Sequence, residues 1–236
     1  QYFLIINDSL AADLDGADLS SVTIGPTLAT SPNTAGLNFD DAATYELVCF
    51  AQGTIIETEN GDCPVEFLSV GDLVLTKDHG FQPIRWIASR KVLARGKFAP
   101  VVFLPGSIGN RNTLRLSRQH RVHISGPMVE LYFGQNSVLA AAHSLVNGET
   151  IFVEECGEIE YFHILFDRHE LVQSEGTWSE SFYPEARLVN QQYSEKRREI
   201  LELFPDLLST ADSYGSTARI CLRPYEGQLM AQYLAL

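Results

Sequence analysis

The chain has 236 residues, 45% of them hydrophobic and 20% charged, enough for one large β domain or two small ones. Seventeen Lys and Arg face thirty Asp and Glu, a formal charge of −13, which weighs against nucleic acid or an anionic membrane as partner. No apolar run reaches about 18 residues, so no bilayer span is expected.

The start, Gln1-Tyr2-Phe3-Leu4-Ile5-Ile6, is too short and lacks the basic flank of a secretory signal; Gln1 in place of Met points to trimming. Residues 1–48 are rich in Asp, Ser, Thr, Ala and Gly. Tyr2–Ile6 reads as a strand and Ser31–Gly36 as a loop, with too few large apolar residues for a separate core. We read 1–48 as a leader segment.

From Thr54 the pattern changes. Thr54–Thr58 is a β-branched strand, Asn60-Gly61 a hairpin turn, and Pro64–Leu68 the returning strand. Leu73–Thr76 follows the Val70-Gly71-Asp72 turn. Asp78-His79-Gly80 turns again, and Pro83–Ser89 alternates as a half-buried strand does. Val101–Leu104 ends at Pro105-Gly106. Thr113–Leu116 leads into Ser117–Ile124, and Val129–Phe133 and Ser137–Ala142 read as strands. Ile151–Val153, Tyr161–Phe166 and Leu171-Val172 complete the series. Short strands at turn intervals of eight to twelve residues predict one all-β domain over 49–182. Beyond Phe182, Ile200, Leu203, Phe204, Leu207 and Leu208 form the stripe of an amphipathic helix starting near Ser194, kinked by Pro205. A last helix is expected at Gln228–Leu234, so 183–236 reads as a helical extension packed on the β domain.

Cys49, Cys63, Cys156 and Cys221 form no CxxC pair and are too scattered for a disulfide scaffold, so free thiols are expected. No histidine spacing recommends a metal site, and no cofactor is implied. His79 and His143 read as turn and loop residues, and His123 as structural. His163 and His169 are even-spaced and can share a strand face. His169, within Asp167-Arg168-His169-Glu170, either orients a site or serves a structural ion pair. Ser117 and His120 are odd-spaced, so a bend must bring them together.

Four blocks stand in a fixed order. They are Cys49-Phe50-x-x-Gly53-Thr54; Val65-Glu66-x-Leu68-x-x-Gly71-Asp72-x-Val74-Leu75-Thr76; Ser117-x-x-His120; and Tyr161 to Gly176. Together they resemble the Hint family of hedgehog autoprocessing domains, inteins and bacterial intein-like domains, with the strongest likeness to the bacterial ones, over roughly residues 46–182. Ser117 stands where the family's Thr-x-x-His block has Thr.

The resemblance implies a Hint fold and a self-cleaving reaction. The thiolate of Cys49 is the nucleophile and the Val48–Cys49 peptide the scissile bond. His120, with a near-neutral pKa, protonates the leaving amine, and Ser117 bonds the scissile peptide and favours its distortion. The late block pairs back against the site. The implied substrate is the chain's own leader, with water or a small nucleophile as acyl acceptor. Splicing inteins end in His-Asn, whereas Glu180-Ser181 stands here, so amino-terminal cleavage without splicing is expected, and nothing in the tail identifies a sterol-binding region. Two alternatives remain open: an arrested Hint scaffold serving as a structural or binding module, and a trans-acting cysteine protease. The resemblance also implies an exported bacterial protein.

Overall fold

The computed structural model describes residues 48–184 and 214–234. The expected strand at Tyr2–Ile6, the loop at Ser31–Gly36 and the helix through Ile200 to Leu208 lie outside the described residues.

The chain opens with β1 (Phe50–Ala51), β2 (Ile55–Thr58) and β3 (Gly61–Pro64). The turn into β2 is a hydrogen-bonded reversal, with Thr54 N–H donating to the Ala51 carbonyl at 3.1 Å. Gly53 sits in it at φ +84°, a position that favours glycine. Its N–H donates to Glu66 Oε2 at 2.8 Å, which ties the cysteine block to the Val65-Glu66 motif. That motif is architectural. Ser69 N–H donates to Asp72 Oδ2, and Gly71 and Ile84 bind the chain across the turn through backbone hydrogen bonds.

β4 (Leu73–Thr76), β5 (Gly80–Pro83) and β6 (Trp86–Leu93) follow, then β7 (Val101–Phe103), β8 (Leu114–Leu116) and β9 (Arg121–Ser125). Helix α1 (Pro127–Phe133) leads to β10 (Ser137–Ala141) and β11 (Ile151–Val153). β12 (Glu158–Leu165), β13 (Leu171–Ser174) and β14 (Thr177–Glu180) close the β region, and α2 (Pro224–Leu234) lies in the tail.

Two sheets result. One has the order β11-β7-β8-β1-β12-β6. The other runs β10-β9-β14-β13-β2-β4-β5, with β3 paired to β2. Phe50, Val101, Phe103, Leu116 and Ile164 of the first share one core with Ile56, Val74, Val122 and Val172 of the second. Each such side chain, fully buried, contributes about 1.5–3 kcal/mol. The all-β reading and the short carboxy-terminal helix hold. No helix among the described residues is long and apolar enough to cross a membrane.

Four local expectations are corrected. Val129–Phe133 is helical: Pro127 stands at the first helical position and Gly134 caps the end in the left-handed region. That bracket outweighs the β propensity of its Val, Tyr and Phe. The returning strand of the first hairpin is Gly61–Pro64, and Val65–Phe67 is a 3₁₀ turn. Pro83–Ser89 is divided, because fully buried Ile84 anchors a crossover between β5 in one sheet and β6 in the other. β14 lies beyond the strands expected from the residues, since Trp178 stands alone among polar neighbours there.

The tail strengthens the sheet edge. Leu139 N–H donates to the Ile220 carbonyl and Leu222 N–H to that of Leu139, so the tail runs parallel to β10 there. Tyr214 Oη donates to the Phe166 carbonyl at 2.6 Å, and Arg219 makes a two-pronged ion pair with Asp78.

Candidate active site around Cys49

Cys49 lies just before β1, in the middle of the six-stranded sheet, and is 4% exposed. β1 is hydrogen-bonded on both sides, Phe50 facing Leu116 of β8 and Phe162 of β12. One residue further along these pairings, Ser117 flanks Cys49 on one side and His163 on the other.

The Ser117 side is a reciprocal pair. Cys49 N–H donates to Ser117 Oγ at 3.0 Å, and Ser117 N–H donates to the Cys49 carbonyl at 3.1 Å. Between β8 and β9 the chain leaves one sheet for the other through a tight turn, with His120 N–H on the Ser117 carbonyl at 3.1 Å. This is the bend that the odd spacing required. It brings His120 under the site, its ring edge-on to Phe50 with centroids 4.5 Å apart.

His120 is fully buried, and neither ring nitrogen has a well-directed hydrogen-bond partner among the described residues. Burial pushes its pKa down to about 4, opposed by the Glu180 carboxylate and a backbone interaction with Cys49, and assisted by Arg121 and His169. The expected near-neutral value is therefore corrected: the imidazole rests uncharged at neutral pH.

On the other side His163 Nδ1 is 2.8 Å from the Val48 carbonyl oxygen. Cys49 Sγ is 3.5 Å from both ring nitrogens of His163. Trp86 stacks on this imidazole and Phe182 meets it edge-on. Val48 packs with the same aromatic group. The sequence left His163 without a role. Its signal was the pairing of the late block against β1, which places it beside Cys49 once Phe162 is matched to Phe50.

His169 reaches the site through Glu180. Its Nδ1 accepts the Ala218 N–H at 3.0 Å, which leaves the proton on Nε2, 3.1 Å from Glu180 Oε2. That contact is short but bent. Glu180 is itself fully buried and accepts the Arg121 N–H at 2.8 Å and the Arg121 guanidinium at 3.2 Å. Burial alone would raise its pKa, but His169, Arg121 and His120 hold it below the usual carboxylate range. The residue noted in the sequence only as a departure from His-Asn is thus the charge facing His120. Ser181, next to it, is held by two hydrogen bonds to the Glu170 backbone.

All four cysteines are free thiols, and Cys49 alone of them is buried. Among the described residues no group of three His, Cys, Asp or Glu side chains is placed to hold a metal ion.

A family model described as Hint domain matches residues 48–186, more than half of the chain. No curated protein sequence matches. Among solved structures, the solution structure of a bacterial intein-like domain from Clostridium thermocellum shares 15% identity, with a TM-score of 0.40; the match covers 57% of this chain and 98% of that one. The MchDnaB-1 intein shares 16%, with a TM-score of 0.38 and coverage of 56% and 98%. The Ssp DnaB mini-intein variant M86 shares 12%, with a TM-score of 0.38 and coverage of 59% and 98%. With its cysteine block, its Ser117-to-His120 corner and a family match that spans both sheets, this chain belongs to the Hint domain family.

Proposed function

We propose that this Hint domain cleaves itself at the Val48–Cys49 peptide through a thioester, without splicing. The observation that carries the reading is the grip on that peptide: its N–H is bonded to Ser117 Oγ and its carbonyl oxygen to a buried imidazole. Cys49 Sγ attacks the Val48 carbonyl carbon, the carbonyl pair moves to oxygen, and the carbon–nitrogen bond then breaks. The leaving nitrogen takes a proton from His120, which lies against the Cys49 backbone. His120 must first gain that proton, so the donor form is a minor population at neutral pH. Glu180, pulled below the ordinary carboxylate range, stabilises it, and His169 positions Glu180.

Glu180 and Ser181 stand where a splicing intein has His and Asn, and Ser181 has no amide to cyclise. The second half of splicing has no nucleophile there. The leader, residues 1–48, is the acyl group, and water or a small thiol is its acceptor.

The test is intact mass over time of the purified chain at neutral pH, with and without dithiothreitol. Thiol-accelerated release of residues 1–48, abolished in Cys49→Ala, supports the reading. Cleavage that persists in Cys49→Ala overturns it. A second reading, an arrested scaffold with structural or binding use, draws on the burial of Cys49, which limits access for an outside nucleophile. It expects an unchanged mass under both conditions.

A further inference from the structure

We infer that His163 is a catalytic residue of this site, acting on both reacting groups at once through its two ring nitrogens. The inference rests on the self-cleavage reading and names the proton acceptor which that reading leaves open.

A carbonyl oxygen only accepts, so at 2.8 Å from Val48 O the His163 Nδ1 carries the hydrogen. In the neutral ring Nε2 is then a bare acceptor. The thiol lies 3.5 Å from it, and its S–H is the donor. The tautomer is fixed by the carbonyl, not by the sulfur, which is equidistant from both nitrogens.

The ring cannot turn away easily. Trp86 stacks on it with an interplanar angle of 25°, Phe182 meets it at 69°, and His163 is 2% exposed. β12 is paired with β1 on one side and β6 on the other, so the backbone beneath the ring is also fixed.

The step balances within the site. The S–H bond breaks and its proton goes to Nε2, while the sulfur–carbon bond forms at Val48. The carbonyl pair becomes an oxyanion held by Nδ1–H of the new imidazolium. On collapse the carbon–nitrogen pair goes to the Cys49 nitrogen, which takes a proton from His120. His163 ends with one proton more and His120 with one fewer, and exchange with solvent restores both. The shift consumes no proton overall. One residue thus generates the thiolate and stabilises the charge that the thiolate creates.

The test separates the two nitrogens. His163→Gln keeps an N–H donor for the carbonyl but cannot take a proton. Thiol-induced release of residues 1–48 is expected to slow about a hundredfold or more in this variant, with thermal stability retained. Exogenous imidazole is expected to restore rate to His163→Gly but not to Cys49→Ala. Release within threefold of the unsubstituted rate in His163→Gln overturns the inference and leaves the self-cleavage reading standing. Nitrogen NMR of the unsubstituted chain gives a readout independent of cleavage: a hydrogen on Nδ1 and a bare Nε2 are expected. Finding the hydrogen on Nε2 overturns the inference whether or not the chain cleaves.

Discussion

Ser117 and Cys49 are hydrogen-bonded to each other twice, Cys49 N–H to Ser117 Oγ at 3.0 Å and Ser117 N–H to the Cys49 carbonyl at 3.1 Å. The backbone arm holds the two chains in register. Only the hydroxyl arm touches the scissile peptide. Ser117→Ala removes that acceptor and leaves a buried N–H unpaired, a cost of about 1–3 kcal/mol. We expect a lower unfolding midpoint and slower release of residues 1–48, by roughly tenfold or more. Ser117→Thr keeps the hydroxyl and should stay within a few-fold of the unsubstituted rate. Equal slowing in both variants would show that the hydroxyl plays no part.

Acid should destabilise the fold, and the sign follows from the pKa directions. His120 drops from an ordinary 6.5 to about 4 on folding, so the unfolded chain binds its proton more readily. Stability is full above about pH 6.5 and falls as pH drops toward 4. The loss from His120 alone is about 2 kcal/mol at pH 5. Glu180, which His169 and Arg121 hold below the ordinary carboxylate range, adds a further loss below that pH. Urea unfolding at pH 7.5 and pH 5 checks this, and the slope should flatten in His120→Gln. A urea midpoint that is constant between the two would contradict it.

Glu180→Gln tests the buried charge. It leaves the Arg121 guanidinium, 3.2 Å away, without its carboxylate and removes the group that favours protonated His120. We expect destabilisation of about 3 kcal/mol and a slower release step. A variant as stable and as fast as the parent would assign Glu180 no role in either.

Gly176→Ala is the control away from the site. Gly176 has φ +81°, and an added Cβ would lie 2.7 Å from Arg111 Cγ. A loss of about 1–2 kcal/mol is expected, with the release rate unchanged, measured by urea unfolding and intact mass.

How much of this was legible in the residues depends on range. The cysteine block, the Val65-Glu66 motif and the Ser117-to-His120 corner are local patterns, and each is held by local turns and caps. Helix α1 reads as a strand from its Val, Tyr and Phe, and only the Pro127 and Gly134 bracket marks it as helical. His163 was invisible as a partner because its side depends on β12 pairing with β1 from across the chain, and no local spacing encodes that. The low pKa of His120 was beyond reach for the same reason: it comes from burial beneath Phe50, only partly opposed by Glu180, and these groups are brought together from different strands. His169, which the residues alone read either as orienting a site or as a structural ion-pair residue, stands 3.1 Å from Glu180.

The most direct test of the central claim is capture of the acyl group with hydroxylamine at neutral pH. A thioester at Cys49 predicts two products by mass: residues 1–48 ending in a hydroxamate at Val48, and a chain that begins with Cys49. Neither should appear in Cys49→Ala. Products that end in a free carboxylate at Val48 in both proteins, or no product at all in either, would contradict the account.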